Sequence, residues 1–325
     1  MRAFVQRTYG GPEVLALEEV PTPVPSDDEV LVRVHAASVN PLDWHVMRGT
    51  PYVLRLAAGL RAPRRQRCGV DYAGVVEAIG AGVTRFAPGD HVFGAGHGSF
   101  AEYLTIGERQ PIARMPNGFT FADAAAVPVA GMTALQAVRD KGHVSPGQRV
   151  LVNGASGGVG TYAVQIAAAA GAEVTATCSS RNVDLVLGLG ATHVVDYTTD
   201  NVTRAGQAFD LIVDTVGTHT VADYRRILSP AGTIVIVGAV NDGPVIGPMG
   251  TLIRAKVAGM FGRHRVETLL TASRAADLET LAALLQQGRM RSAIDRTYPF
   301  EAAAAAIAYV QTGHARGKVV ITVTP

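Results

Sequence analysis

Glycines fall at 154, 157 and 160 in the run Gly154-Ala155-Ser156-Gly157-Gly158-Val159-Gly160. The run follows Val150-Leu151-Val152-Asn153, a short uncharged segment of the kind that makes a buried parallel strand. After it, from Thr161 to Ala170, apolar positions recur at three- and four-residue spacing, and Gly171 stands where a helix would be capped. A chain that passes from strand to helix in so few residues needs backbone angles that glycine tolerates best. A side chain at Gly157 or Gly158 would hold a phosphate away from the backbone. The free N–H groups of the helix start attract that phosphate, and Gly160 lets the helix lie close on the sheet. In this strand–turn–helix setting the spacing predicts a cradle for a dinucleotide pyrophosphate, made by Gly154, Ala155, Ser156, Gly157, Gly158 and Val159.

The elements that must position this cradle can be read from the rest of the chain. At 325 residues, 48% hydrophobic, it exceeds one typical core, so two domains are expected. Strands are expected at Val14–Val20, Glu29–Val34, Gly69–Gly80, His91–Phe93 and Gly98–Leu104, with the mixed alternation of a largely antiparallel β domain. Helices are expected at Phe121–Ala126 and Met132–Asp140. From Arg149 strands alternate with helices, at Glu173–Thr177, Asn182–Leu187, His193–Val195, Asp210–Asp214, Thr220–Leu228 and Thr233–Val237, the rhythm of a doubly wound parallel sheet. Two helical stretches, Ala275–Gln287 and Phe300–Gln311, precede a last strand, Lys318–Val323, expected to rejoin the N-terminal β domain.

Composition removes several classes of function. A net charge of +2 implies no field for nucleic acid or a membrane surface. Two distant cysteines, Cys68 and Cys178, fit a reducing, cytoplasmic compartment and leave no cysteine-built structural zinc site. The first residues carry no apolar leader, and no uncharged run reaches membrane-spanning length.

Five segments together resemble the medium-chain dehydrogenase/reductase superfamily, and within it the zinc-free, zeta-crystallin-like quinone oxidoreductases: Ser38-Val39-Asn40-Pro41-Leu42-Asp43, Gly69 to Val76, Pro88 to Val92, Gly154 to Gly160 and Gly313 to Val320. The resemblance implies an α/β chain: a GroES-like, mainly antiparallel β catalytic domain from residues 1–120 and 265–325, and a Rossmann domain with a doubly wound parallel sheet at 121–264. It also implies a homodimer, with Thr251–Gly262 as a candidate sheet edge. Zinc alcohol dehydrogenases of the superfamily place metal ligands where this chain has Asn40, Val70 and, approximately, Ala130. Valine and alanine cannot ligate, so no metal is expected.

NAD-binding units carry an acid at the end of the second strand to hold the ribose 2′-hydroxyl. That end here reads Thr177-Cys178-Ser179-Ser180-Arg181, without an acid. A carboxylate would repel a 2′-phosphate. Ser179, Ser180 and Arg181 would hold one, at about 1.5–3 kcal/mol for a charged hydrogen bond, so NADPH is the expected cofactor. The resemblance adds Tyr197 beside the adenosine phosphate, Thr133 near the carboxamide and Val216, Gly217, Gly238 and Ala239 at two later strand ends. It further implies Phe261 and Gly262 flanking the nicotinamide, and Lys318 approaching the phosphate side from the other domain.

Without a metal, the substrate that needs least activation is a quinone or an α,β-unsaturated carbonyl, which takes hydride at carbon and spreads the charge onto oxygen. Asn40 and Asp43, expected on a loop after a strand, are placed at the pocket. Asn40 would donate to a carbonyl or orient the nicotinamide, and Asp43 would support the loop more than act as a base. Tyr52 is a candidate donor or stacking surface. His45 stands where relatives have a tyrosine, and is a candidate proton donor or a satisfied loop histidine. Arg61, Arg64, Arg65 and Arg67 form a basic loop, read either as solvated or as a receiver of an acidic substrate. Two other functions stay open: enoyl-thioester reduction, and a low-turnover NADPH-binding redox sensor.

Overall fold

Val30, Val32 and Val34 alternate with Leu31, Arg33 and His35, and the apolar run Ala36-Ala37 with Val39 follows. Glu29–Val39 folds as one long strand, almost wholly buried, that pairs on both sides. The computed structural model describes residues 1–204, 206–238, 248–260 and 264–324. It divides the chain into unit 1, Met1–Met132 with Ser273–Pro325, and unit 2, Thr133–Ala272.

In chain order the strands are β1 (Arg2–Gln6), β2 (Leu15–Glu19), β3 (Glu29–Val39), β4 (Asp71–Ile79), β5 (His91–Ala95), β6 (Tyr103–Gly107) and β7 (Ile112–Arg114). They continue with β8 (Arg149–Asn153), β9 (Glu173–Cys178), β10 (His193–Asp196), β11 (Phe209–Asp214), β12 (Leu228–Ile236), β13 (Arg265–Thr268), β14 (Ile294–Pro299) and β15 (Lys318–Thr322). The α-helices are α1 (Pro41–Arg48), α2 (Arg55–Ala58), α3 (Phe121–Ala125), α4 (Pro128–Leu135), α5 (Gly158–Ala169), α6 (Val183–Leu187), α7 (Val221–Arg225), α8 (Pro248–Met260), α9 (Ala275–Gln286) and α10 (Ala303–Gln311).

Unit 1 is built on a seven-stranded sheet in the order β14-β15-β3-β4-β5-β7, with β6 also on β3, and a β1-β2 ribbon beside it. β15 pairs antiparallel with β3, Val319 against Val39, so the last strand does return to the N-terminal half. Val32, Val34, Tyr72, Leu104, Phe300, Ile307 and Ile321 belong to its apolar cluster. Burying such side chains contributes about 1.5–3 kcal/mol each. Among the described residues unit 2 holds six parallel strands in the order β10-β9-β8-β11-β12-β13, with Leu151, Ile212, Tyr224 and Ile234 in its core. That order reverses direction of growth at β8, the arrangement that leaves a ligand crevice at the carboxyl ends of the central strands.

Several expectations move. The boundaries shift from 120 and 264 to 132 and 272, because α3 packs on β3 and β4, while β13 pairs in parallel with β12. Residues Pro248–Met260 are helical, so the edge of the unit 2 sheet is β13, not Thr251–Gly262; residues 261–262 lie outside the described residues. The stretch Gly98–Leu104 begins as a turn, Gly98 at φ +86°, and its strand starts only at Tyr103. Beyond α4 the helix widens into a π-helical turn over Gln136–Lys141, where Gln136 exchanges two hydrogen bonds with the Ala272 backbone, at 2.6 and 3.0 Å. No helix among the described residues is long and apolar enough to cross a membrane.

Candidate active site

The glycine-rich turn joins β8 to α5 at the carboxyl edge of the unit 2 sheet. Gly154 sits at φ +80°, a conformation only glycine adopts at ease. A Cβ on Gly160 would collide with the Gly154 carbonyl oxygen, so this glycine is what lets helix and loop meet. Gly157, the N-cap of α5, is different. Among the described residues a Cβ there would touch only the Gly154 oxygen, at 3.4 Å, which leaves room over it for a ligand. The first-turn N–H groups of α5 face that space with the positive end of a twelve-residue helix. A pyrophosphate fits this cradle on chemistry and on room.

What holds the cradle was not visible from glycine spacing. The buried side chains Asn153 and Asp214 end β8 and β11, Thr177 stands one residue before the end of β9 between them in sequence, and Asn153 bonds to both of the others. Thr177 Oγ1 donates to Asn153 Oδ1 at 2.6 Å and accepts from the Gly154 N–H at 3.1 Å. Asn153 Nδ2 donates to Asp214 Oδ1 at 2.9 Å, and the same oxygen receives the N–H groups of Val216 and Gly217 at 3.1 and 2.9 Å. Their common signal is a polar residue at or next to the end of each apolar strand.

At the end of β9 the structure adds an acid that the Thr177–Arg181 run does not contain. No acid follows β9, but β10 runs beside it and brings in Asp196, opposite Cys178. The Ser180 hydroxyl donates to Asp196, as does Thr198 Oγ1 at 2.7 Å. These hydrogen bonds, Ser180 first, hold the Asp196 carboxyl below its ordinary range. Ser180 therefore has its proton committed to a carboxylate in this arrangement and does not donate it to a phosphate oxygen. Arg181 and Tyr197 are both exposed here, Tyr197 directly following Asp196. Asn182, not anticipated, donates from Nδ2 to Ser156 at 3.0 Å and Ser179 at 3.3 Å, tying the cradle to this strand end. Thr133 bonds Thr271 through their hydroxyls at 2.7 Å. A Cβ on Gly238 would run into the Thr215 carbonyl, so this strand end is closely packed. Ala239, Phe261 and Gly262 lie outside the described residues.

Unit 1 contains a second polar centre, wholly inside its sheet. Asp71 opens β4 and is fully buried. Its Oδ2 accepts from Ser38 Oγ at 2.9 Å, Asn40 Nδ2 at 2.8 Å and Lys318 Nζ at 3.4 Å; its Oδ1 accepts from the Val129 N–H at 3.0 Å. Lys318 Nζ also donates to Asn40 Oδ1 at 2.6 Å. An ammonium can only donate and a carboxylate only accept, so the Asn40 amide has one possible orientation. One proton of its NH2 group goes to Asp71, and the other is the donor that remains. Lys318, expected to reach a cofactor phosphate, is 3% exposed and turned into this cluster, with burial lowering its pKa.

Asn40 and Asp43 are not on a loop. Asn40 caps α1, Pro41 starts it, and Asp43 Oδ2 accepts the Asn40 N–H at 2.7 Å, half of a capping box. Burial, only partly offset by that hydrogen bond, pushes the Asp43 carboxyl up to about 7. His45, on the same helix, has Nδ1 2.9 Å from the Thr50 carbonyl oxygen, which can only accept. Burial lowers its pKa, and toward that carbonyl Nδ1 is the donor. It stacks on Trp44, ring centroids 3.7 Å apart. Tyr52 lies half-exposed in a single helical turn beneath Arg55, whose guanidinium is 4.8 Å from the ring centre.

Among the described residues no group of three His, Cys, Asp or Glu could hold a metal ion. The donor set near Asn40 does not fit zinc: its amide is bound on both ends, and Val70 and Ala130 offer no ligand atom.

Two family models match the chain: an alcohol dehydrogenase GroES-like domain over residues 26–117, and a zinc-binding dehydrogenase domain over 189–321. A chloroplast envelope quinone oxidoreductase homolog of Arabidopsis thaliana is 34% identical, over 99% of this chain and 98% of its own. A trans-enoyl reductase of Aspergillus terreus is 35% identical over 91% of this chain and 86% of its own. The solved quinone oxidoreductase of Coxiella burnetii matches at 31% identity with a TM-score of 0.85, covering 100% of this chain and 99% of that one. With a dinucleotide cradle in one unit, a GroES-like sheet in the other and relatives matched over nearly the whole length, the chain belongs to the medium-chain dehydrogenase/reductase superfamily, in its quinone oxidoreductase group of NAD(P)-dependent oxidoreductases.

Proposed function

We propose that the protein is an NADPH-dependent reductase that transfers hydride to a quinone or an α,β-unsaturated carbonyl compound without a metal. The observation that carries this reading is the Asn40 amide, fixed between Asp71 and Lys318 where zinc relatives keep a metal ligand. When bound, NADPH supplies the hydride from nicotinamide C4. Gly157 and the α5 N-terminus hold its pyrophosphate, and Arg181 with Tyr197 favours its 2′-phosphate. The second N–H of Asn40 is a pre-oriented donor for an oxygen that gains charge, and because its partners are already in place, no reorganisation accompanies the reaction. A quinone or enone delocalises the charge it receives, so a neutral amide suffices where a plain ketone would need a Lewis acid. Asp43, with its carboxyl near 7, is half protonated around neutrality and keeps α1 and Asn40 in register.

The test follows deuterium. With NADPH deuterated at C4, mass spectrometry of the product should show one deuterium on the β-carbon of an enone. Asn40→Ala should lower kcat by about a hundredfold, as for loss of one oxyanion donor, and leave NADPH affinity unchanged. Unlabelled product, or an Asn40→Ala enzyme with full kcat, would contradict the reading. A second reading, reduction of an enoyl thioester, is supported by the trans-enoyl reductase relative. It shares every step above and differs only in what is attached to the carbonyl.

A further inference from the structure

Unit 1 carries a cavity of about 720 Å³ that none of the steps above uses. Arg64, Arg65 and Arg67 line it, together with His97, Thr105 and Gln110. No acidic side chain lines it, and among the described residues none of the three guanidiniums has a carboxylate partner. Elsewhere on this chain arginines find acids, as Arg2 does with Glu102 and Glu301, and Arg7 with Glu18. Three like charges gathered without a counter-charge repel one another, and the arrangement becomes favourable when an anion joins it.

The backbone that carries Arg67 is also held in place. The Gln66 carbonyl accepts from the Gln6 N–H at 2.7 Å, and the Cys68 N–H donates to the Phe4 carbonyl, so residues 66–68 are laced to β1. Gly98, at φ +86°, leaves room for the Arg67 side chain: a Cβ there would meet Arg67 Cβ at 3.1 Å and Nε at 3.4 Å. His97 Nε2 is buried without a hydrogen-bond partner. Burial, then the nearby Arg65 and Arg67, pushes its pKa down to about 4, so it adds a neutral polar group and no fourth charge.

We propose that this cavity binds a small organic molecule bearing two or more phosphate groups. Three guanidiniums match a charge of two to four negatives and offer paired N–H donors shaped for phosphate oxygens. The volume lies in the usual range for small-molecule sites, about 300–1,000 Å³, and a lone inorganic phosphate would leave most of it empty. The backbone links the cavity to the Asp71 segment: the Gly96 N–H donates to the Val70 carbonyl at 2.8 Å, one residue before Asp71. Two sources share this chemistry, the bisphosphate nucleotide tail of a thioester substrate and a free nucleotide acting as an effector.

Calorimetric titration of the full protein, already saturated with NADP+ so that the dinucleotide cradle is filled, tests the site. Adenosine 3′,5′-bisphosphate should bind once, and Arg65→Gln/Arg67→Gln should weaken it by about a hundredfold or more. Thr105→Glu, which puts a carboxylate into the cavity, should abolish it, while Arg181→Ala leaves it unchanged. If the arginine pair also raises KM for a coenzyme A enoyl thioester but not for a simple enone, the source is the substrate tail; if both KM values stay the same, it is a free nucleotide. No heat from the bisphosphate on the saturated protein, or undiminished binding to both cavity variants when their thermal midpoints match wild type, overturns the site. Because binding is read without turnover, this outcome is separate from that of the reductase reading.

Discussion

At the scale of single residues, the structure turns on which protons are already committed. Asp196 was out of sight in the sequence because it sits sixteen residues beyond Ser180 and reaches it only through the β9–β10 pairing. On the proposed reading, a carboxylate here would repel the 2′-phosphate that Arg181 would attract. Arg181→Ala should raise KM for NADPH about tenfold to a hundredfold and leave that for NADH nearly unchanged, whereas Asp196→Asn should lower KM for NADPH about twofold to fivefold. Steady-state kinetics with both cofactors decide it; equal effects on the two would remove these residues from the phosphate site. Asp43 gives a pH signature. Its folded carboxyl titrates near 7 and its unfolded one near 3.8, so the folded state binds the extra proton. The stability this adds is complete below about pH 4 and is lost as pH rises through 7. Wild type should therefore lose on the order of 3 kcal/mol relative to Asp43→Asn between about pH 4 and 7.5, measured by guanidinium unfolding. Parallel curves would contradict it.

At the scale of elements, what was legible depended on whether a signal was local. The strand–glycine–helix unit could be read because each part lies close in sequence and has its own pattern. The polar centre of unit 1 could not, because Asn40, Asp71 and Lys318 are brought together by β3, β4 and β15 from 31 and 278 residues apart. Asn40-Pro41 suggests a loop because proline breaks most elements, whereas at the first helical position it starts one. The two glycines of the cradle separate by mechanism. Gly160→Val forces a Cβ against the Gly154 carbonyl and should cost about 3 kcal/mol or more of stability. Gly157→Val meets nothing closer among the described residues than the Gly154 oxygen at ordinary contact distance, and should keep the wild-type unfolding midpoint while losing binding of either cofactor. Thermal unfolding beside cofactor titration distinguishes them, and the reverse pattern would exchange the two roles.

At the scale of the whole molecule, two units of different origin in the chain carry different parts of the chemistry. Unit 2 offers a phosphate cradle common to dinucleotide-binding sheets. Unit 1 offers a buried amide set by a carboxylate and an ammonium. The fold was readable in advance because both sheets leave patterns of strand length and alternation. The placement of Lys318 within its own unit was not, since burial of a lysine depends on partners far along the chain. The central claim is that this amide centre replaces a metal. The direct measurement is steady oxidation of NADPH by 1,4-benzoquinone with protein exhaustively treated with chelator and shown to be free of transition metal. Turnover equal to that of the untreated protein is the predicted result; turnover that vanishes on chelation and returns with added zinc would contradict it.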